Sequence, residues 1–220
     1  KIAERNDRFF LPIFSPVSGT VTAVEKFMTS SMTQADHLKI QNDHKHTAVR
    51  AFAAFDYEKA TWEELLEFVK NAGMLGLGGA GFPTYVKYGK PDGVQCVLIN
   101  AVECEPYLTA DYKNIEENLS LLKTGTLALF KLSKAKKGCI AIKEDKKKQI
   151  EDLKKTFEGT PIEIRTVPNI YPMGWERTLV YELTGKRYNM LPIEAGMILN
   201  NASTAIALGN AIDNGMPITH

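Results

Sequence analysis

The chain has 220 residues, 27 Lys and Arg against 26 Asp and Glu, a net charge of +1, and 44% hydrophobic residues. This is the composition of a globular chain that buries a real core, in one domain or one and a half at about 150 residues per domain. The balanced charge excludes a dedicated nucleic-acid binder, and no apolar run approaches the ~18 residues of a membrane-spanning helix. Cys96, Cys104 and Cys139 form no CxxC spacing and are an odd number. They exclude a fully paired intramolecular disulfide framework, a CxxC-type zinc site and a four-cysteine iron–sulfur cluster held by this chain alone. The sequence starts at Lys1 without Met or a signal peptide, as a piece of something longer would.

Residues 1–50 differ in texture from the rest. Phe9–Phe14 and Val17–Val24 are short β-prone runs broken by Pro12, Pro16 and Gly19, followed by a polar stretch with three histidines. They predict a small β module that buries little by itself. Thr61 with Glu64 makes a capping box for a helix through Leu65, Leu66, Phe68 and Val69 that ends at Gly73. Val94–Ile99 predicts a strand covered on both faces. A helix is expected over Asn114–Leu132, a strand over Cys139–Ile142 and a charged helix from Asp145 to about Phe157. A strand over Ile162–Val167, a helix over Trp175–Leu183, a strand over Met197–Leu199 and a helix over Ala202–Ile212 complete the series. Strands alternating with helices of this length predict an α/β fold with a parallel sheet and right-handed crossovers.

Four polar clusters punctuate this pattern. Gly76-Leu77-Gly78-Gly79-Ala80-Gly81 fits G-x-G-x-x-G, with Glu103 and Glu105 a little over twenty residues later. The dinucleotide fingerprint requires a strand before the glycines and a helix opening from them. Here a capped helix precedes them, and Phe82-Pro83-Thr84 and then a strand follow, so the Rossmann reading is rejected. Five glycines within residues 73–81 still allow close backbone approach to a ligand and concave anion nests, with a plain flexible loop as the alternative. Flanking Leu77, Phe82 and Tyr85 predict a loop packed at a surface.

The second cluster, Asn100 to Tyr107, follows the first parallel strand, where open α/β sheets bind ligands. Its acids suit a polar ring or a ribose, or are ordinary solvated loop residues. The third, Gly174-Trp175-Glu176-Arg177-Thr178, opens a helix after Pro172. The fourth, Asn200-Asn201-Ala202-Ser203-Thr204, joins a strand to a helix; Asn is a strong N-cap, and such a helix start is a ready phosphate site.

In this order the motifs resemble the C subunit of the Rnf electron-transport complex and, more distantly, the flavoprotein subunit of respiratory complex I. The stretches that carry the resemblance are Gly76–Thr84 with Lys87, Asn100–Asp111, Tyr171-Pro172 with Gly174 and Glu176, and Asn200-Asn201 with Thr204. The resemblance covers essentially the whole chain. It implies a parallel-sheet FMN- and NADH-binding domain over residues 51–220, preceded over 1–50 by part of a small biotinyl-like β barrel. It further implies a noncovalently bound FMN that accepts a hydride from NADH and passes electrons to iron–sulfur carriers outside this stretch. Gly76, Gly78, Lys87, Asn100 and Glu103 would line the flavin, Gly174 and Glu176 would close its other side, and Asn200, Asn201 and Thr204 would hold its phosphate. Phe82 and Glu105 match the NADH side, an aromatic to stack and an acid to orient. No side chain need act as general acid or base.

The resemblance also implies partner subunits of an electron-transport complex, or a partner reductase, with no nucleic acid and no direct membrane insertion. Reduced-looking cysteines and the missing signal predict a cytoplasmic protein, compatible with a peripheral place on the inner face of the cell membrane. Gly215–His220 resembles the lead into a β-grasp-like module and a two-cluster ferredoxin region, so 4Fe-4S clusters are expected only beyond this chain. Val102 stands where the complex I relative has an acid and Cys104 where it has a serine, both normal for the Rnf-like branch. Trp175 stands where complex I has an acid and Rnf-like chains usually a small or acidic residue. Trp175 either stacks on a bound ring or blocks part of the pocket. That leaves open a cofactor-poor docking scaffold, or a soluble paralogue feeding a reductase such as proline reductase. His44 and His46 read as a solvated loop, the charges over Lys143–Lys155 as a solvated helix face, and Cys104 as a small packing residue. Cys96 and Cys139 read as inert strand residues.

Overall fold

The computed structural model describes residues 1–219; His220, the end of the expected lead into a further module, lies outside them. Two antiparallel pairs open the chain: β1 (Ala3–Arg5) with β2 (Leu11–Ile13), and β3 (Gly19–Met28) with β4 (Gln34–Asn42). β4 runs through the polar stretch of the predicted β module to which the sequence assigns no strand, because Ala35, Leu38 and Ile40 pair across the ladder with Phe27, Val24 and Val21. His44 and His46 lie exposed just after it. Phe14 is buried edge-on to Phe52, centroids 5.8 Å apart, and ties this segment to the remainder.

α1 (Trp62–Asn71) starts with the expected capping box between Thr61 and Glu64. After the short α2 (Thr84–Tyr88) come β5 (Cys96–Ala101), α3 (Ala110–Glu117), α4 (Leu119–Ser133) and β6 (Lys137–Lys143). α5 (Lys147–Thr156), β7 (Ile162–Val167), α6 (Glu176–Thr184), β8 (Met197–Asn201) and α7 (Ala202–Asn214) follow. The sheet is wholly parallel in the order β7-β6-β5-β8, the expected α/β architecture. The chain steps outward from β5 to β6 and β7, then returns to lay β8 on β5's other edge. A topological switch point therefore lies between β5 and β8, where open α/β sheets place their ligand crevice.

Side chains alternate across the sheet. Val97, Ile99, Ala101, Ile140 and Ile142 join one cluster with Leu65 and Val69 of α1, Leu129 of α4, Leu153 of α5 and Leu208 of α7. Leu98, Cys139 and Ala141 join a second with Leu179 and Val180 of α6. At ~25 cal/mol per Å² of apolar area, two such covered faces supply the main drive for folding.

Two expectations shift. The helix predicted over Asn114–Leu132 is two helices, α3 and α4, broken at Asn118, which holds φ −132° and ψ 35°. The Asn118 amide donates to the Asn114 carbonyl at 3.0 Å, the local side-chain bonding that makes Asn a poor helix-interior residue. β5 and β8 also run further than expected, so that Asn100, Asn200 and Asn201 are strand residues whose places the ladder sets.

α4 and α7 touch backbone to backbone. A Cβ on Gly125 would lie 1.8 Å from the Ala205 carbonyl oxygen, and one on Gly209 would lie 2.0 Å from that of Leu121. Gly125→Ala should therefore destabilise the protein by about 2–3 kcal/mol, the scale of overpacking a close-packed interior. Gly79→Ala, with nothing within 4 Å of its Cβ, should stay within about 0.5 kcal/mol of the parent. Urea denaturation of both variants checks this, and equal midpoints would show that the helices separate freely.

Candidate functional site

At the switch point Asn100 of β5 pairs with Asn201 of β8, and Ile99 with Asn200. The Asn100 side chain joins two neighbouring loops. Its Oδ1 accepts the Val102 N–H at 2.9 Å, and its Nδ2 donates to the Gly174 carbonyl at 2.9 Å. A Cβ on Gly174 would stand 2.2 Å from the Val102 carbonyl oxygen, so this approach needs glycine.

The start of α7 forms the floor. Asn201 caps it, its Oδ1 accepting the Ser203 N–H at 2.7 Å. Its Nδ2 donates to Asp111 Oδ2 at 2.8 Å, and the Ser203 hydroxyl donates to Asp111 Oδ1 at 2.8 Å. The Asn114 amide reaches the same hydroxyl at 2.9 Å. The glycine loop lies over this helix start. The Leu77 N–H donates to Thr204 Oγ1 at 3.0 Å, and a Cβ on Gly78 would sit 2.7 Å from Asn201 Cβ. The base of the loop is pinned by Gly76 N–H to Phe82 O at 3.0 Å and Thr84 N–H to Met74 O at 2.8 Å. Its tip, residues 77–82, is exposed, unlike the packed loop predicted from Leu77 and Phe82, because those side chains turn outward. Phe82 instead meets Phe9 edge-on at 5.4 Å.

Lys87 reaches in from α2. Its only hydrogen-bond partner among the described residues is the Leu199 carbonyl, at 2.9 Å. Burial holds this ammonium below the ordinary lysine range, against the opposing charge of Glu176. Asn200 is buried; its amide donates to the Tyr88 hydroxyl, and its Oδ1 has no partner among the described residues. Glu176 accepts the Tyr188 hydroxyl at 2.8 Å. Glu103 is buried, accepts the Asp111 N–H at 3.0 Å, and is raised above the usual carboxylate range by burial first and then by the charge of Asp111.

The structure thus brings Gly76, Gly78, Lys87, Asn100, Glu103, Gly174, Glu176, Asn200, Asn201 and Thr204 around the carboxyl ends of β5 and β8. Phe82, Glu105 and Trp175 are exposed outside that hydrogen-bonded set. Sequence reasoning assigns no role to Asp111, Tyr88, Tyr112 or Asn114. Asp111 and Asn114 lie three apart on α3 and so share a face, which was the available signal; Tyr88 and Tyr112, whose hydroxyl accepts the Glu103 N–H at 3.3 Å, gave none.

A parallel α/β sheet with a glycine loop, a capped helix start and a half-buried lysine at its switch point defines a ligand-binding α/β domain. The same fold occurs in crystal structures of NAD+-reducing [NiFe]-hydrogenase in the H2-reduced and air-oxidised states. These match with TM-scores of 0.63 and 0.62 at 23% and 24% identity, over 69% of this chain and 31% and 30% of theirs. The chain is 32% identical, over 94% of its length and 46% of the relative's, to the C subunit of the proton-translocating ferredoxin:NAD(+) oxidoreductase complex of Clostridium ljungdahlii. It is 35% identical, over 94% of its length and 30% of the relative's, to the C subunit of the ion-translocating oxidoreductase complex of Serratia proteamaculans. The chain therefore spans less than half of either relative. Residues 69–210 match the family described as the Nuo51 FMN-binding domain, and the chain belongs to that family. The resemblance drawn from the four motifs is borne out.

Because the fold raises the Glu103 pKa, the folded state holds that proton more tightly than the unfolded chain does. The cost of the charged form is felt above the folded-state pKa and is relieved as pH falls through it. Glu103→Gln, whose amide oxygen can still accept the Asp111 N–H, should raise the urea midpoint near neutral pH. The gain should shrink as pH falls through the raised folded-state pKa, and be gone below the ordinary glutamate range, about 4.3, where the unfolded chain is protonated too. A lower midpoint for the variant at neutral pH would show that the carboxylate stabilises the fold.

Proposed function

We propose that this chain is the FMN-binding module of an electron-transfer oxidoreductase that takes a hydride from NADH and delivers electrons to iron–sulfur carriers elsewhere in its protein or complex. The observation that carries the reading is Lys87: a half-buried ammonium whose one hydrogen-bond partner among the described residues is a carbonyl, with the charge of Glu176 acting on it, has donors left for an anionic or electron-rich ligand. The buried Asn200 Oδ1, without a partner among the described residues, is a spare acceptor that suits a ring N–H. Family membership and the names of the relatives support the same reading.

The residues present fit FMN. Gly76 and Gly78 let the loop backbone approach it, the amides at the start of α7 with Thr204 and Asn201 receive its phosphate, and Asn100 with Gly174 shapes the wall. Asp111 holds the Asn201 amide in place; with both of its oxygens already accepting hydrogen bonds, it repels an incoming phosphate less than a free carboxylate would. When bound, FMN supplies acceptance of two electrons as hydride and their release one at a time. Lys87 favours negative charge on whatever lies against it. Phe82 and Glu105, exposed at the rim, are proposed for the nicotinamide nucleotide, an aromatic face and an acid for a ribose. A second reading, a docking scaffold poor in cofactor, is favoured by Trp175, which is 59% exposed where the crevice would admit a nucleotide.

We read residues 1–50 as part of a biotinyl-like barrel and 51–220 as the flavin domain. The assembly is a peripheral one on the cytoplasmic side of a membrane; no helix among the described residues is long and apolar enough to cross one.

FMN added to the purified chain should bind stoichiometrically with quenching of its fluorescence, and anaerobic NADH should then bleach it. Gly78→Val should weaken FMN at least tenfold, about 1.4 kcal/mol, while the fold is retained by circular dichroism. Asn201→Ala should weaken it similarly and also cost about 1–2 kcal/mol of stability through the lost cap. Absent FMN binding would favour the scaffold, and binding without bleaching would remove NADH as the donor.

A further inference from the structure

At the amino ends of the strands, the end of the sheet opposite the proposed flavin crevice, three sulfur-bearing side chains share one face. Cys96 opens β5 and pairs with Met197 of β8 on one side and Lys137 of β6 on the other. Cys139 lies two residues further along β6 and so points to the same face as Cys96. The two Sγ atoms are 3.9 Å apart. All three residues line a cavity of about 160 Å³ beneath the end of α6, with Lys137, Arg165 and Glu163 also in its wall.

The separation selects the chemistry. Two thiolates on one metal ion, each bonded at roughly 2.3 Å, can lie up to about 4.6 Å apart, and 3.9 Å falls inside that reach. A disulfide would need the sulfurs at about 2.05 Å, roughly half the present distance, across strands fixed by their ladder. Among the described residues no group of three or more His, Cys, Asp and Glu side chains converges, so a closed zinc shell is not built here. Two thiols with a thioether beside them are instead the soft donor set that selects Cu(I).

Charge agrees. A monovalent cation displaces both thiol protons and leaves a complex of charge −1. The cavity's Lys137, Arg165 and Lys186, set against Glu163 alone, offset that charge. Cys96 is half-buried and Cys139 is buried, so Cys96 is the more accessible of the two sulfurs. Cys96 is thus the sulfur that meets an incoming cation first.

We propose that Cys96 and Cys139, with Met197 beside them, form a binding site for a monovalent thiophilic cation of the Cu(I) class. The site is independent of the flavin reading, since it lies at the other end of the sheet and shares no residue with the crevice.

The test titrates the reduced full chain, without oxygen, with Cu(I) held by the colorimetric chelator bicinchoninate. The parent and Cys104→Ser should each withdraw one Cu(I) per chain. Cys96→Ser and Cys139→Ser should each weaken capture by more than about tenfold, and Met197→Leu by less, as loss of a ligand outweighs loss of a neighbour. Because replacing the buried Cys139 risks the fold, X-ray absorption of the loaded parent gives a second readout, a shell of two or three sulfurs. Unchanged capture in Cys96→Ser, capture that follows Cys104, no transfer from the chelator, or a shell of nitrogen and oxygen alone would each overturn the assignment.

Discussion

Where α4 crosses α7, backbone meets backbone at Gly125 and Gly209, and the placement of the candidate site depends on that contact. α4 leads the chain away from β5, whereas α7 leaves β8, the strand beside it. Both helices lie on the same face of the sheet, over neighbouring strands, and neither can shift without the other. Gly125 lies against Ala205, one turn from the Asn201 cap, so the crossing also sets the height at which α7 begins. Leu122, Leu129, Leu208 and Ile212 fill the space around it and make the close approach favourable through apolar burial. A helix start held this firmly can present its N–H groups to a ligand with little reorganisation.

Around that start acids and cation interleave. Asp111 sits at the first turn of α7, bonded to Asn201 and Ser203, and the charge of Glu176 acts on Lys87. Each acid is also tied by a hydrogen bond: Glu103 accepts the Asp111 N–H, and Glu176 accepts the Tyr188 hydroxyl. Acids held in this way keep fixed positions at the crevice and need little reorganisation. Asn100 adds a mechanical link, since one amide holds both the Val102 and the Gly174 loops.

Much of this was legible in the sequence, for identifiable reasons. The buried strands announced themselves as apolar runs, and the capping box at Thr61 and the asparagine cap at Asn201 are local signals that need no tertiary information. Rejecting the dinucleotide fingerprint from element order also held, because α1 precedes the glycines and β5 follows them. What escaped was set by distant partners. β4 is too polar to read as a strand without Val21, Val24 and Phe27 across the ladder. The break at Asn118 lies inside a plausible apolar spacing, and the exposure of Leu77 and Phe82 follows from how the loop is pinned at its base. Asp111 was visible as a residue of the second motif, but its work is done on residues ninety positions away. The nearness of Cys96 to Cys139 is likewise a fact of strand order and register.

The two ends of the sheet differ in kind, and β5 shows why. From Cys96 to Asn100 the strand advances four residues, roughly 13 Å at about 3.3 Å each. At its carboxyl end, the loop after β5 and the start of α7 leave backbone amides that must find partners, so asparagine, threonine and acids gather there. At its amino end, on the face under α6, Cys96, Cys139 and Met197 share one cavity, while lysine and arginine line its wall. Oxygen and nitrogen donors at one end and sulfur donors at the other are thereby kept apart by the length of one strand. Because Leu98, the inward residue midway along that face, is fully buried, no chain of polar groups along this face of β5 links the two ends.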